Sequence, residues 1–388
     1  MASITIDAIR ANLQTTVDQY FHKLSLITFQ ELRCSQSIPW ASLTDGVASH
    51  IYTLIHKIYT NNNRSHIDLA LTLTEYILQN DGDRSAYYYP NVPGEQGLNS
   101  SFYGSRDALL YLHFMINYRL NRPTALQQHS LLDSFALLPL DSPNEVMFGL
   151  AGYLNIALHL YNMTKNIEFQ QTSNNIIHVL IERGATKRNS SWTGDSTLNF
   201  SHGRAGIFFS LLQSAYILQL DLPSWFFDEL EKFYILLQSN PSMGLPMDKP
   251  IIMRRSWCQG AGGYAMMWAK AYELTGEKVY SHRAWKTAAF AHTGLNNSHG
   301  TNLCCGLGGR AYSLLALDRI LPGYGWYERA LELTYAAMQR IQSIDQFMTN
   351  GLYRGNSGLI CLAQDILAPP TSRLGYPLVE VSRKPIET

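Results

Sequence analysis

Seven times along this 388-residue chain, a glycine-bearing turn runs into an apolar stretch with helical spacing. The copies read SLTDGVASHIYTLI, SSFYGSRDALLYLHFM, VMFGLAGYLNIALHL, FSHGRAGIFFSLL, WCQGAGGYAMMWA, LCCGLGGRAYSLLAL and LYRGNSGLICLAQDI. Their leading glycines are Gly46, Gly104, Gly149, Gly203, Gly260, Gly306 and Gly355, separated by 58, 45, 54, 57, 46 and 49 residues. Such a period marks a repeat architecture, in which one unit cannot bury its apolar face until its neighbours stack against it.

In the first copy Val47, Ile51, Leu54, Ile55 and Ile58 fall on one helical face. Helix stops are expected near Gly276 in the fifth copy and near Leu321-Pro322-Gly323 in the sixth. Between copies there is room for a second helix, as at 66–80, 172–184 and 325–341. The unit is then a glycine-led helix plus a partner, and seven such hairpins can close into a ring or stack as an open solenoid. The glycine-led helices are strongly apolar, which suits an inner layer under an outer one. The expected fold is all-α, an α/α toroid, as a single domain over residues 1–388. The glycines should gather at one end of the inner helices, where a missing Cβ permits φ > 0 and close backbone approach. For most of them helix packing is a sufficient explanation. The polar stretches 184–200 and 238–250 read as loops within the array.

With 46% apolar and 15% charged residues the chain is globular rather than disordered. Thirty basic residues balance thirty acidic ones, so there is no electrostatic footprint for nucleic acid. No apolar run approaches the ~20 residues of a membrane span. The first residues lack a basic-then-apolar signal pattern, which makes a cytoplasmic location the expectation.

Of the five cysteines, Cys34 and Cys361 stand apart and read as small core residues. Cys258, Cys304 and Cys305 sit beside leading glycines of the fifth and sixth copies, and His202 holds the same place in the fourth. If the copies are equivalent in a ring, these side chains share one height on neighbouring inner helices. Clustered cysteines in a reducing compartment read as metal-binding or catalytic before they read as disulfides. Three thiolates suit zinc, and an open fourth position would mark a catalytic site. The spacing alone also fits three small buried residues. His299 is followed by a glycine but lies off the repeat register, and is set aside. Arg254 and Arg255 precede Trp257-Cys258 and fit an exposed loop equally well.

These motifs resemble those of the lanthionine synthetase C-like family, the LanC cyclases, over essentially the whole chain. Trp257-Cys258-Gln259-Gly260 matches the family's Trp-Cys-x-Gly, and His202-Gly203-Arg204-Ala205-Gly206 its His-Gly-x-x-Gly. Cys304-Cys305-Gly306 matches its Cys-His-Gly with cysteine in place of histidine, a three-cysteine version found among some cyclase domains of the family. The family's aspartate four residues before the third copy's glycine is here Glu145, and its arginine before the metal cysteine is Arg254. The resemblance implies one Zn2+ per chain on Cys258, Cys304 and Cys305, with His202 as acid–base residue, Glu145 orienting it and Arg254 stabilising charge. It implies addition of peptide cysteines to dehydroalanine or dehydrobutyrine, closing thioether rings. The partners would be a dehydrated precursor peptide with its leader and a separate dehydratase, since the chain is too short to include one. Three other readings stay open: a glutathione-handling protein, a toroidal glycosidase using carboxylates such as Asp45 and Glu145, and a non-catalytic zinc scaffold.

Overall fold

The computed structural model describes residues 5–27, 40–61, 66–82, 86–87, 101–122, 125–138, 142–186, 198–239, 254–295, 300–341, 343–347 and 351–381. Among these residues the regular structure is helical, with no strand. In chain order the longer helices are α1 (Ile6–Leu26), α2 (Ala48–Asn61), α3 (Ile67–Asn80), α4 (Arg106–Arg119), α5 (Ala125–Ala136), α6 (Leu150–Thr164) and α7 (Ile167–Thr186). They continue as α8 (Arg204–Leu218), α9 (Ser224–Ser239), α10 (Ala261–Thr275), α11 (Lys278–His292), α12 (Leu307–Ile320), α13 (Trp326–Gln339) and α14 (Ser357–Leu367). The even-numbered helices are the glycine-led ones and form the inner layer; the odd-numbered helices cover them.

The inner helices are buried almost all round, as befits helices flanked by two neighbours, an outer layer and a filled centre. Every residue from Ala261 to Ala271 in α10 and from Leu307 to Leu317 in α12 is buried. The ring closes because α14 packs against α2. Among the described residues no long helix follows the seventh copy, and α1 fills that place by packing on α14 and α13. The first helix of the chain thus completes the outer layer over the last inner helix. The helix stops fall as expected: α10 ends at Gly276 with φ +72°, and α12 ends just before Leu321.

The glycines do two kinds of work at the start of the inner helices. Gly152, Gly206, Gly263, Gly309 and Gly358, each three residues beyond a leading glycine, press on the carbonyl six residues back. A Cβ there would lie 2.1 Å from Val146 O, 2.1 Å from Phe200 O, 2.4 Å from Trp257 O, 1.8 Å from Leu303 O and 2.1 Å from Leu352 O. The same glycines receive side chains of the preceding copy: Val146 on Gly206, Phe200 on Gly263, Trp257 on Gly309 and Leu303 on Gly358. The turns also bond to one another around the ring. Leu43 N donates to Tyr103 O, Met147 N to Ser201 O, Ser201 N to Cys258 O, Cys258 N to Cys304 O, Cys304 N to Tyr353 O and Leu352 N back to Leu43 O. Ser101 Oγ bridges the remaining step to Met147 O at 2.8 Å.

One register expectation is corrected. In the second copy the N-cap is Ser105, whose side chain accepts from Asp107 N, so Gly104 stands one residue early. Serine caps a helix as well as glycine does, so the turn is conserved in shape though shifted in sequence.

Past α14 the chain returns to the ring's interior. Tyr376 and Val379 are fully buried, and Leu378 and Glu380 nearly so. Tyr353 Oη donates to Pro377 O at 2.9 Å, Tyr103 Oη to Leu378 O at 3.2 Å, and Gln213 Nε2 to Val379 O at 3.0 Å. Two buried tyrosines and a buried glutamine thereby find partners that burial obliges them to find.

Candidate metal centre and acid–base pair

In six of the seven copies the residue four before the helix-capping position (Gly46, Ser105, Gly149, Gly203, Gly260, Gly306) ties the turn together. Its side chain accepts the backbone N–H three residues on: Ser42 from Asp45, Ser101 from Gly104, Glu145 from Phe148, Asn199 from His202, Ser256 from Gln259 and Asn302 from Cys305. This repeated bond fixes the side chains just before each inner helix, and with them the candidate site.

Cys258 stands two residues before the α10 cap, and Cys304 and Cys305 stand before the α12 cap. Cys258 Sγ lies 3.2 Å from Cys305 Sγ, and Cys304 Sγ 3.5 Å from Cys305 Sγ. All three sulfurs lie within 4.8 Å of one another. Cys258 is buried, Cys304 partly buried and Cys305 exposed, so the cluster opens outward through Cys305. Hydrogen bonds from the Cys258 and Cys304 thiols, with the positive charges of Arg254 and Arg354, hold Cys305 well below the usual thiol range. Bonding to its two neighbours and burial push Cys304 up. A tetrahedral zinc–thiolate site has sulfurs ~3.8 Å apart for Zn–S bonds of ~2.3 Å. Two of the observed spacings, 3.2 and 3.5 Å, are slightly tighter than that and the third is within 4.8 Å, so small side-chain shifts would let the trio hold such an ion. Cys361, as expected, is a fully buried residue of α14, and Cys34 and His299 lie outside the described residues.

His202 and Glu145 meet. His202 Nδ1 is 3.3 Å from Glu145 Oε2, with the carboxylate buried and the imidazole 37% exposed. The carboxylate also accepts from Met147 N at 2.5 Å and Phe148 N at 2.8 Å. The His202 ring stacks on Phe148, with centroids 5.3 Å apart and planes 14° apart. The longer stem of glutamate therefore does reach the histidine. The pair joins the trio through the backbone, since Ser201 N and Oγ both bond to Cys258 O, at 3.1 and 3.3 Å. Glu145 is fully engaged in these contacts, which counts against its use as a free carboxylate in glycoside hydrolysis.

Of the two arginines, Arg255 is structural: its Nε donates to Thr293 Oγ1 at 3.0 Å and its guanidinium covers Phe290. Arg254 is exposed, gives its carbonyl to Ala261 N, and places its charge by Cys305. Sequence reasoning missed Arg354, Asn302 and Phe148. Arg354 and Phe148 stand in the same position before the glycine as Cys305 and His202, so strict use of the register would have found them.

Together these observations define an α/α toroid with a three-thiol cluster and a buried-carboxylate–imidazole pair where its inner helices begin. A family model described as lanthionine synthetase C-like protein matches residues 37–381, and the chain belongs to that family. Among solved structures it is similar to nisin cyclase, with a TM-score of 0.64 over 92% of this chain and 93% of that one. The sequences are 14% identical, so the likeness shows a shared fold. No described helix is long and apolar enough to cross a membrane.

Proposed function

We propose that this protein is a zinc-dependent lanthionine synthetase, closing thioether rings in a dehydrated precursor peptide supplied by a separate dehydratase. The observation that carries the reading is the trio of sulfurs within 4.8 Å in a chain whose residues 37–381 match the family model. Cys258, Cys304 and Cys305 would hold the ion, which when bound supplies a substrate thiol in its thiolate form at neutral pH.

The chain's own residues would serve the rest of the addition. The new bond joins the peptide sulfur to the β-carbon of dehydroalanine or dehydrobutyrine, the C=C bond is lost, and the α-carbon takes up one proton. His202 is exposed enough to meet a peptide and would deliver that proton from Nε2, with Glu145 orienting the ring through Nδ1. Arg254 and Arg354 would face the negative charge that builds on the adjoining carbonyl oxygen before protonation.

The test is ring closure in a peptide carrying one cysteine and one dehydroalanine. Addition leaves the mass unchanged and removes the thiol, so the product resists alkylation. Alkylation-resistant peptide of parent mass, absent with His202→Ala, supports the reading. A glutathione adduct on the dehydroalanine without ring closure would replace it with the glutathione alternative, and zinc without turnover would leave a scaffold.

A further inference from the structure

The segment after α14 ends against the cysteine turns, and one side chain accounts for most of that contact. Tyr376 stacks on Trp257 with centroids 4.4 Å apart and planes 19° apart, and Trp257 stacks in turn on Tyr353 at 5.9 Å. Tyr376 Oη donates to Leu303 O at 3.0 Å. Trp257 directly precedes Cys258, Leu303 directly precedes Cys304, and Tyr353 O accepts from Cys304 N at 2.8 Å. Tyr376 therefore touches the chain neighbour or backbone partner of both inward cysteines.

The segment is held firmly enough to position something. Gly375 has φ +81°, and a Cβ there would lie 2.6 Å from Glu380 Oε2. Leu378 is left-handed at φ +58°, a conformation costing a leucine about 1 kcal/mol or more, which persists only where the surroundings over-determine it. Three consecutive carbonyls, from Pro377 to Val379, are clamped by inner-layer side chains. Glu380 pairs with Arg319 and lies 3.9 Å from Lys270 Nζ, and both cations pair with the buried Glu273. Asp365 Oδ1 accepts from Leu374 N at 2.9 Å. Yet the segment is not close-packed throughout: Leu374, Gly375, Glu380 and Val381 line one wall of a cavity of about 340 Å³ beside Leu315 and Tyr312. Space is left along the segment, while its tyrosine makes close contact under the cysteine turns.

We propose that residues 374–381 are a strap that sets the geometry of the thiol cluster, with Tyr376 as its positioning residue. The strap fixes Cys258 through Trp257 and Cys304 through Leu303, and Cys305 is left to face the opening. The part that concerns metal affinity rests on the cyclase reading above; the part that concerns the thiols does not.

The experiment compares the parent with Tyr376→Ala, Tyr376→Phe, Glu380→Gln and, as a control for general loosening, Leu230→Ala in the outer helix α9. Each metal-free protein is treated with iodoacetamide, and the labelling rate of each cysteine is followed by mass spectrometry, with circular dichroism to confirm the fold. Tyr376→Ala should raise labelling of Cys258 and Cys304 at least tenfold. Tyr376→Phe keeps the stack and loses the bond to Leu303, so it should expose Cys304 more than Cys258. Glu380→Gln should act in the same direction from the far end of the strap, and serves if Tyr376→Ala does not fold. Leu230→Ala should leave both rates as in the parent. In chelator competition, Tyr376→Ala should bind zinc about tenfold more weakly, in line with the effect of residues that orient metal ligands. Unchanged labelling in folded Tyr376→Ala, or equal acceleration in Leu230→Ala, overturns the proposal. A parent that binds no zinc would overturn the cyclase reading, while the labelling rates still decide for or against the strap.

Discussion

Glu145 stands where five other copies carry serine or asparagine, and it performs their turn-capping bond while also reaching His202 at 3.3 Å. The two roles can be separated by side-chain length. Glu145→Asn should keep the cap, as Asn199 does in the next copy, but fall short of the imidazole. Its stability should fall by only about 1 kcal/mol, for the lost bond from Met147 N, while kcat for ring closure falls about 10- to 100-fold. His202→Ala should fall further, by about 10²- to 10⁴-fold. Equal kcat in Glu145→Asn and the parent would reduce the carboxylate to a turn cap. Cys305→His offers a second contrast at this scale. Three thiolates on a divalent ion give a formal charge of −1, and two with a neutral imidazole give zero. Both should hold one zinc, and rates across several ring sizes should differ between them; identical rates and preferences would count against a role for that charge.

At the scale of the element, the start of each inner helix is the most sharply determined feature. Gly309→Ala would place a Cβ 1.8 Å from Leu303 O and 2.9 Å from Trp257 Cβ, and backbone cannot yield as a flexible side chain can. We expect a loss of about 3 kcal/mol or more by urea denaturation. Gly276→Ala meets nothing within 4 Å and strains only a φ of +72°, so about 1 kcal/mol is expected. Helix identity and stops were legible here because apolar spacing and glycine act locally. The second copy was misread by one residue because Gly104 is conspicuous in sequence while the working cap, Ser105, is ordinary. Glu145's reach to His202 could not be read either, since stem length alone does not say where a turn will aim it. The three-cysteine cluster was legible through repeat equivalence, which turns 46 residues of separation into neighbouring positions on a ring, and above all through the resemblance of its motifs to the family's.

For the whole molecule, closure is the property that most distinguishes a toroid from an open array. Because α1 covers α14, removing residues 1–27 should open the ring. Thermal unfolding should then begin at lower temperature and lose its single transition; an unchanged melting curve would show that closure is not needed. The seam between α4 and α6 adds a pH dependence. Tyr111 Oη and His159 Nδ1 are 2.9 Å apart, and burial pushes His159 down to about 4 from its usual 6.5. The unfolded chain takes up that proton first. This contribution is therefore complete above about pH 6.5 and is lost as pH falls toward about 4. His159→Gln should flatten the decline of Tm over that window, and a variant with the parent's slope would place the titration elsewhere. Neither the role of α1 nor the strap was legible in the sequence. Their partners lie elsewhere in the sequence, 73 residues away for Tyr376 and Leu303 and 275 for Tyr103 and Leu378, and neither belongs to the repeat.

The most direct measurement is zinc per chain after gel filtration with a weak chelator, for the parent, Cys305→Ala and Cys361→Ala. The thiol-cluster account predicts one zinc in the parent and in Cys361→Ala, and little or none in Cys305→Ala. No zinc in the parent, or one zinc held as firmly by Cys305→Ala, would contradict it.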